Sequence, residues 1–275
     1  MTLCPSLLRT SLALALLLAT AGAQAAEDKP LWELGVGAGV LQLPHYRGSD
    51  QSHTWLLPVP YIVYRGDIFK ADRNGARALL VDVDRFSVDV SVSASTPTRS
   101  RDNVAREGMP DLKPTIEIGP NLNWTLGRGA DWKLELRLPV RAAVTVASQP
   151  RVAGWITTPN LNLDLRSGPW NIGVLGGPVF GNRKLHGFFY DVAPAYATAA
   201  RPAYQASGGY AGSTLAAALS QREGARWIGA FVKYDRLSGA AFEDSPLVRQ
   251  RQQWSFGIAV SWVLAASEQR VSVNE

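Results

Sequence analysis

Cysteine is almost absent from this 275-residue chain, whose one cysteine is Cys4. Beyond that position the lack of thiols excludes disulfides, thiolate metal sites and cysteine nucleophiles. Long apolar runs are also missing, because no stretch after residue 25 has the roughly 20 consecutive apolar residues that a spanning helix needs. The fold must therefore be stabilised by hydrogen bonding and burial.

The first 25 residues have the parts of a secretory signal peptide. Arg9 precedes an apolar run over residues 11–19, and small residues follow as far as Ala23-Gln24-Ala25. This order of charge, apolar segment and A-x-A end is the pattern of a cleaved signal. The run is too short for a membrane anchor, so we expect cleavage near Ala25 and export of a chain that begins at Ala26.

Positive charge is in modest excess, at +5 with 28 Lys and Arg against 23 Asp and Glu. An exported protein rarely meets nucleic acid, so we expect no nucleic-acid partner. Anionic lipopolysaccharide and murein are the expected neighbours, and an ordinary solvated basic surface is the alternative.

Apolar and polar residues alternate over several segments. In residues 86–95 the apolar set is Phe86, Val88, Val90, Val92 and Ala94, and polar residues separate them. Residues 32–40, 116–126, 132–144 and 254–264 follow the same pattern. A period of two is typical of strands, and these lengths match the roughly 9 to 11 residues of a strand that crosses a bilayer.

The connections between these segments alternate in length. Short turns are expected at residues 65–67, 84–85, 127–130, 167–169 and 221–225. Longer loops are expected at residues 41–53, 96–114, 145–154, 181–205 and 237–252, with a tight Asn74-Gly75 hairpin in place of one further long loop. We predict an all-β fold, a transmembrane antiparallel up-and-down β-barrel of about 12 strands within a range of roughly 10 to 14.

The expected organisation is a cleaved signal at residues 1–25, a barrel over residues 26–264 and a polar tail at residues 265–275. Six prolines fall inside the predicted strands, where a closed barrel offers no free edge. We expect bulges or strand ends to accommodate them. They are Pro58, Pro60, Pro120, Pro139, Pro159 and Pro178.

Several short motifs occur in a fixed order along the chain. They are Tyr46-Arg47-Gly48-Ser49, Leu57-Pro58-Val59-Pro60-Tyr61 leading to Tyr64-Arg65-Gly66, Gly108-Met109-Pro110-Asp111-Leu112-Lys113-Pro114 before Glu117-Ile118-Gly119, Ser207-Gly208 before Tyr210, and Asp235-Arg236-Leu237-Ser238 before Asp244-Ser245-Pro246-Leu247-Val248. In these motifs, and in its last alternating strand, the chain resembles the MltA-interacting protein (MipA) and outer-membrane protein V family. It departs from the family at the end of the last strand, where Leu264 and a polar tail replace an aromatic end.

The resemblance implies an outer-membrane barrel, and we expect no cofactor. For the founding type it implies a scaffold that joins a murein-cleaving lytic transglycosylase to a peptidoglycan synthase. The motif positions for which we expect a structural or partner-binding role are Tyr46, Gly48, Ser49, Pro58, Pro60, Tyr64, Asp111, Pro114, Glu117, Ser207, Gly208, Tyr210, Arg236, Leu237, Ser245 and Pro246.

We expect neither a catalytic nor a metal site. The three histidines, His45, His53 and His186, lack the spacing of metal ligands. Ser49 and Ser52 lie near two of them but without a nucleophile elbow, so the alternative of a surface hydrolase is disfavoured. Gly35, Gly37 and Gly39 alternate with apolar residues within a strand, which favours a lumen-facing role over phosphate binding.

Charged residues alternate on one predicted strand and are expected to point into the lumen. They are Lys133, Glu135, Arg137 and Arg141. These charges could tune a channel, or interlocked salt bridges could fill a narrow lumen, which we expect. If loop 96–114 is external, Arg99, Arg101 and Arg106 could contact lipopolysaccharide phosphates, and a solvated loop in which they pair with nearby acids is an equally supported alternative. The scaffold and the narrow channel are the two functions that the sequence leaves open.

Overall fold

A computed structural model of the chain describes residues 27–66, 69–72 and 75–273. The predicted signal peptide and Asn74 lie outside these residues. No helix in the described residues is long and apolar enough to cross a membrane.

The described residues form 15 strands and one α-helix. The strands are β1 (Glu27–Pro30), β2 (Trp32–Pro44), β3 (Ser52–Arg65), β4 (Phe69–Asp72), β5 (Gly75–Val83), β6 (Phe86–Ala94), β7 (Thr115–Arg128), β8 (Trp132–Thr145), β9 (Val152–Thr157), β10 (Asn160–Ser167), β11 (Trp170–Gly181), β12 (Gly209–Glu223), β13 (Arg226–Arg236), β14 (Gln252–Ala266) and β15 (Arg270–Val273). The helix is α1 (Arg183–Tyr190).

The strands from β2 to β14 form one antiparallel sheet of 13 strands that closes on itself through the pairing of β14 with β2. β9 and β10 lie end to end and share the same partners, β8 and β11, so they occupy one position in the wall. The wall thus has 12 strand positions, and the predicted barrel is confirmed.

The outer face of the barrel is apolar and exposed, as a surface in contact with lipid must be. Val36 is 50% exposed, Ile258 58% and Trp262 47%. The residues that alternate with them include Ser261 and Glu33, which are buried toward the interior. This arrangement confirms that the period-two pattern separates a lipid face from a lumen face.

The two ends of the barrel differ. At the turn end the connections after β5, β7, β10 and β12 have two or three residues. At the loop end the connections are loop 1 (residues 45–51), loop 2 (residues 95–114), loop 3 (residues 146–151), loop 4 (residues 182–208) and loop 5 (residues 237–251). The alternation in length agrees with the prediction, although strands extend into parts of the expected loops, so that His53 lies in β3.

The first and last described strands meet at the turn end. β1 and β15 pair from Glu27–Val273 to Pro30–Arg270 as a separate two-stranded sheet. Ser267 fixes the connection, since its N–H donates to the Trp32 carbonyl (2.9 Å) and its hydroxyl accepts from the Trp32 N–H (3.2 Å). The polar residues after β14 therefore continue into a strand.

Four of the six prolines are accommodated in two ways. Pro159 falls between β9 and β10, and the register of β11 with β12 shifts after Pro178, so these follow the expected use of breaks and bulges. The expectation of no free edge is wrong at β3, because among the described residues its pairing with β4 is limited to Tyr64 and Arg65. Pro58 and Pro60 lie in the part of β3 that β4 does not reach.

Candidate functional site: the loop cap and the charged lumen

The loops at the loop end pack into a small hydrophobic core, which we call the cap. Its buried side chains come from loops 1, 2, 4 and 5 and include Tyr46, Leu112, Tyr190, Val192, Leu237, Phe242 and Leu247. Leu237 and Leu247 are 0% exposed. A solvated loop rarely buries residues so completely, so the cap is a packed part of the fold.

Two tyrosines tie the loops together. The Tyr46 hydroxyl donates to the Leu247 carbonyl at 2.8 Å, and the Tyr190 hydroxyl donates to the Arg47 carbonyl at 2.8 Å. Tyr190 also stacks on Phe242, with ring centroids 3.7 Å apart. Burial raises the pKa of Tyr46 to about 12 and also raises that of Tyr190. Both phenols therefore remain neutral donors.

Loop 1 turns at Gly48, whose φ of 94° favours glycine. The Gly48 N–H donates to Gln253 Oε1 at 2.7 Å, and its carbonyl accepts from the Arg249 N–H at 2.7 Å. A Cβ at this position would approach Leu237 Cδ2 to 3.2 Å. The Tyr46-Arg47-Gly48-Ser49 motif thus encodes a turn that fits against loop 5.

Ser49 is fully buried and joins loop 1 to loop 2. Its hydroxyl donates to the Gln51 carbonyl (3.0 Å) and accepts from Asn103 Nδ2 (3.0 Å), and the same amide nitrogen lies 3.1 Å from His45 Nδ1. His45 therefore contacts Asn103 and not the serine. In an activated serine the histidine hydrogen-bonds the hydroxyl directly, and here Asn103 lies between the two side chains.

Arginines of loops 2 and 4 face inward. Arg106 is 3% exposed, and its Nη1 donates to the Phe189 carbonyl at 3.0 Å. Burial lowers the pKa of Arg106. Arg201 donates to the Ala105 carbonyl at 3.0 Å. The suggested contact of Arg106 with lipopolysaccharide is therefore wrong, because this guanidinium holds loops together in the cap.

His186 lies in α1, where the Asn182 side chain caps the helix by accepting from the Leu185 N–H at 2.9 Å. The imidazole is 2% exposed, with Nδ1 2.6 Å from the Ser207 carbonyl and its ring edge-on to Phe242. Nε2 is buried without a hydrogen-bond partner among the described residues. Burial lowers the pKa of His186, and burial together with the charge of His53 lowers that of His45.

Most other motif positions also surround the cap. Asp111 Oδ1 accepts from the Ser100 N–H at 2.8 Å, the Pro114 carbonyl accepts from the Val146 N–H at 2.8 Å, and the Ser245 hydroxyl donates to the Tyr190 carbonyl at 2.8 Å. A Cβ on Gly208 would meet the Arg183 nitrogen at 2.6 Å.

Tyr210 packs on Phe180 with ring centroids 5.8 Å apart, and Pro246 is partly buried beside Leu247. Arg236 lies at the exposed end of β13. Pro58, Pro60 and Tyr64 lie apart from the cap, on the outer face of β3.

A charged cluster lies directly beneath the cap. Asp235, 0% exposed, accepts from Arg47 Nε at 3.2 Å and from the Thr214 hydroxyl at 2.5 Å, and its other oxygen lies 2.9 Å from Lys233 Nζ. Arg47 Nη2 is buried without a hydrogen-bond partner in the described part of the chain. The cluster joins loop 1 to the barrel wall.

The predicted lumen charges lie together on β8 and pair with acidic residues of β8 itself, β7 and β10. Glu135 contacts Lys133 at 2.5 Å and Arg137 at 2.8 Å, and Arg137 also reaches Asp164 at 3.5 Å. Arg141 lies 3.7 Å from Glu117 and donates to the Thr158 hydroxyl at 2.9 Å. Since each cation has an acidic or polar partner beside it, the wall carries paired charges of both signs.

A third cluster surrounds Glu33 at the turn end. Its carboxylate, 2% exposed, accepts from Arg222 at 2.5 Å, Arg65 at 3.3 Å and the Tyr61 hydroxyl at 3.4 Å. This cluster links β2, β3 and β12 across the barrel.

The lumen itself is a cavity of about 2930 Å³. It extends from cap residues such as Tyr46 and His186 to Lys29 and Arg270 near the terminal sheet. The expectation that salt bridges fill the lumen is wrong, because the ion pairs lie along the wall and leave this space between them. Within the described residues, no group of three or more His, Cys, Asp or Glu side chains is arranged to hold a metal ion.

Sequence reasoning missed Tyr190, Phe242, Arg201 and Arg222. A signal for the first of these is visible, because the loop predicted at residues 181–205 contains Phe188-Phe189-Tyr190. Three consecutive aromatic residues in a loop indicate that the loop is buried. Arg222 gave no such signal, since an arginine beside a turn is common.

Comparison with solved structures finds distant similarity. Outer membrane phospholipase A from Escherichia coli is 13% identical, with 87% of this chain and 96% of that chain covered and a TM-score of 0.35. A Pseudomonas aeruginosa FadL homologue is 10% identical (84% and 66% covered, TM-score 0.37), and the outer membrane protein OprD from Pseudomonas aeruginosa is 7% identical (88% and 96% covered, TM-score 0.28). Similarity at this level carries no argument about activity. No curated protein matches the chain.

A closed antiparallel barrel with an apolar outer face, short turns at one end and long loops at the other defines an outer-membrane β-barrel. In this class the turn end is periplasmic and the loop end is extracellular. The family of MltA-interacting protein MipA matches the chain over residues 36–264, and the chain belongs to that family.

Proposed function

We propose that this barrel is an attachment point in the outer membrane for a murein-cleaving lytic transglycosylase, which it holds near a peptidoglycan synthase. The family match carries the proposal, because the family is described by its interaction with MltA, a lytic transglycosylase. Murein lies in the periplasm, so the docking surface belongs at the turn end.

The terminal β1–β15 sheet is the best candidate for that surface. The other turn-end connections are short, whereas this sheet adds eight residues of extended backbone. Edges of a small sheet offer unpaired N–H and carbonyl groups to which a partner strand can add. The Asp28 carbonyl already accepts from Arg270 Nη1 at 2.9 Å, which holds the two strands together.

Deletion of residues 268–275 tests this surface. The truncation removes β15 and keeps Ser267, which bonds Trp32 and so protects the end of the barrel wall. We expect the truncated protein to capture markedly less lytic transglycosylase from outer-membrane extract, as measured by mass spectrometry. The control is Glu107→Ala, an exposed position in loop 2, which should capture as much as the unmodified chain. Equal capture by the truncated chain would contradict docking on this sheet.

A second candidate function is a channel, and the lumen of about 2930 Å³ with paired charges on its wall favours it. Single-channel recording on purified protein separates the two functions. Discrete ion-selective steps that change in Arg137→Ala or Arg141→Ala would support a channel. A silent bilayer would leave the attachment role as the better account, since the cap covers the outer end.

A further inference from the structure

β3 has an unpaired edge within the membrane wall. Its pairing with β2 is continuous from Trp32–Tyr64 to Pro44–Ser52, whereas on the other side only Tyr64 and Arg65 pair with β4. Over residues 52–63 no strand of the described chain pairs with this second edge. The next strand that extends toward the loop end, β6, pairs with β5 only as far as Ser91.

The direction of the backbone groups on β3 follows from one hydrogen bond. The Arg65 N–H donates to the Leu31 carbonyl at 2.8 Å, toward the β2 side. In an antiparallel strand the N–H and carbonyl of one residue point to the same side, and the side alternates along the strand. Even-numbered residues therefore direct these groups toward the unpaired edge.

Pro58 and Pro60 are even-numbered, so the N–H groups that proline lacks are missing at this edge. A partner strand needs those donors, and two prolines within three residues remove them. The edge is thus unsuited to strand addition by another protein or by a second copy. An occupant that needs no hydrogen bonds, such as a hydrocarbon chain, fits it better.

On the β3 side of the gap the lumen face is apolar, whereas Ser91 and Ser93 of β6 face the lumen on the other side. Leu57 and Val59 face the lumen from β3 opposite the glycines of β2, and Leu41 and Leu79 lie on the neighbouring strands. The outer face is apolar as well, with Leu56 78% exposed. One charged cluster, that of Glu33, reaches β3 through Tyr61 and Arg65 near the turn end. Farther along β3 toward the loop end, Leu57 and Val59 form an apolar part of the lumen wall beside the unpaired edge.

The cavity extends to this edge. Leu57 and Val59, which flank Pro58 on the lumen face of β3, line the cavity. Unpaired carbonyls are tolerated at membrane depth where they line a water-filled cavity. Lumen water can therefore solvate the free carbonyls of β3 while the apolar side chains contact lipid.

We propose that the gap between β3 and β6 is a lateral opening of the lumen to the outer leaflet, and that it takes the acyl chain of an outer-leaflet lipid. The acyl chain lies along the apolar side chains of Leu57 and Val59. The opening concerns the membrane wall and is independent of docking at the periplasmic sheet.

Lipid-chain quenching tests the opening. Leu57→Cys is labelled with a bimane fluorophore in a Cys4→Ser background and reconstituted into phosphatidylcholine vesicles that contain chain-brominated phosphatidylcholine. We expect the bromolipid to quench at least half of the fluorescence. Ala218→Cys, on the lumen face of β12, is the matched control and should lose less than a tenth. Leu56→Cys, on the outer face, sets the value for full lipid contact.

Equal and weak quenching of the Leu57 and Ala218 labels would overturn the proposal, and so would equal and strong quenching of both. A disulfide-linked dimer of Leu56→Cys would also overturn it, because a second copy would then cover the edge. Val59→Cys repeats the measurement if Leu57→Cys does not assemble, and assembly is judged by a shift in gel mobility on boiling.

Discussion

Leu237→Ala is expected to loosen the cap without opening the barrel. Leu237 is fully buried in the cap core, and its Cδ2 lies where a side chain at Gly48 would point. Truncation of a fully buried leucine costs about 2–5 kcal/mol, because the removed methyl groups leave a cavity. Each 1.4 kcal/mol changes an equilibrium constant about tenfold, so the population of the open cap should rise about thirtyfold to a few thousandfold.

Amide hydrogen exchange in loop 4 measures that opening. Val192 and Tyr204 donate to each other's carbonyls at 2.9 and 3.0 Å, so both amides are protected only while the cap is packed. In Leu237→Ala their exchange should accelerate by the factor above, while the amides of β13 stay slow. Val104→Ala, at a position 75% exposed in loop 2, is the control and should change nothing. Exchange within twofold of the unmodified protein would refute the view that the cap is a cooperative core.

Three further predictions concern single positions. Gly48→Ala places a Cβ at a φ of 94°, which should cost about 1–2 kcal/mol and speed exchange in the cap about fivefold or more; an unchanged rate would contradict the account of loop 1. Burial lowers the pKa of His186 below 6.5, so its contribution to cap stability is complete above pH 6.5 and is lost as the pH falls. The exchange rate of the cap amides, corrected for its intrinsic pH dependence, should rise from pH 7.5 to pH 5, and it should rise less in His186→Phe. An equal rise in the two proteins would exclude His186 as the source of the acid sensitivity. Ile258→Lys on the lipid face should lower the free energy of unfolding by about 2–4 kcal/mol in urea titrations in vesicles, and Ser220→Lys on the lumen face by clearly less.

The wall of the barrel could be predicted from the sequence because each strand carries its own signal. Along β14, Phe256 and Ile258 alternate with Ser255 and Gly257, and only a strand places such residues on opposite faces. The strand count follows from the alternation of short turns with longer loops, and the barrel form follows from the lack of spanning helices.

The cap could not be predicted, since its contacts join residues that are far apart in sequence. Tyr46 and Leu247 are 201 positions apart and meet through one hydrogen bond. The resemblance identified both as motif residues but gave no reason for them to be neighbours. Loops usually lie in solvent, whereas the aromatic residues of loop 4 are packed in the cap.

The prolines of β3 conflict with a fully paired sheet, and their positions indicate where the sheet is unpaired. Pro58 and Pro60 counted against the barrel because a closed sheet has no free edge. The register resolves the conflict, since the missing donors coincide with the unpaired edge of β3. The sequence did not reveal that β4 has four residues and therefore pairs with a small part of β3.

The central claim is that alternate side chains of each strand face lipid around a closed barrel, and a cysteine scan of β14 tests it most directly. Nitroxide labels at single positions from 254 to 264, in reconstituted vesicles, are compared by their collision rates with oxygen and with a water-soluble nickel chelate. Oxygen access should be high at Trp254, Phe256 and Ile258, low at Ser255 and Gly257, and should keep a period of two throughout. A period near 3.6, or uniform access to the nickel chelate, would contradict the account.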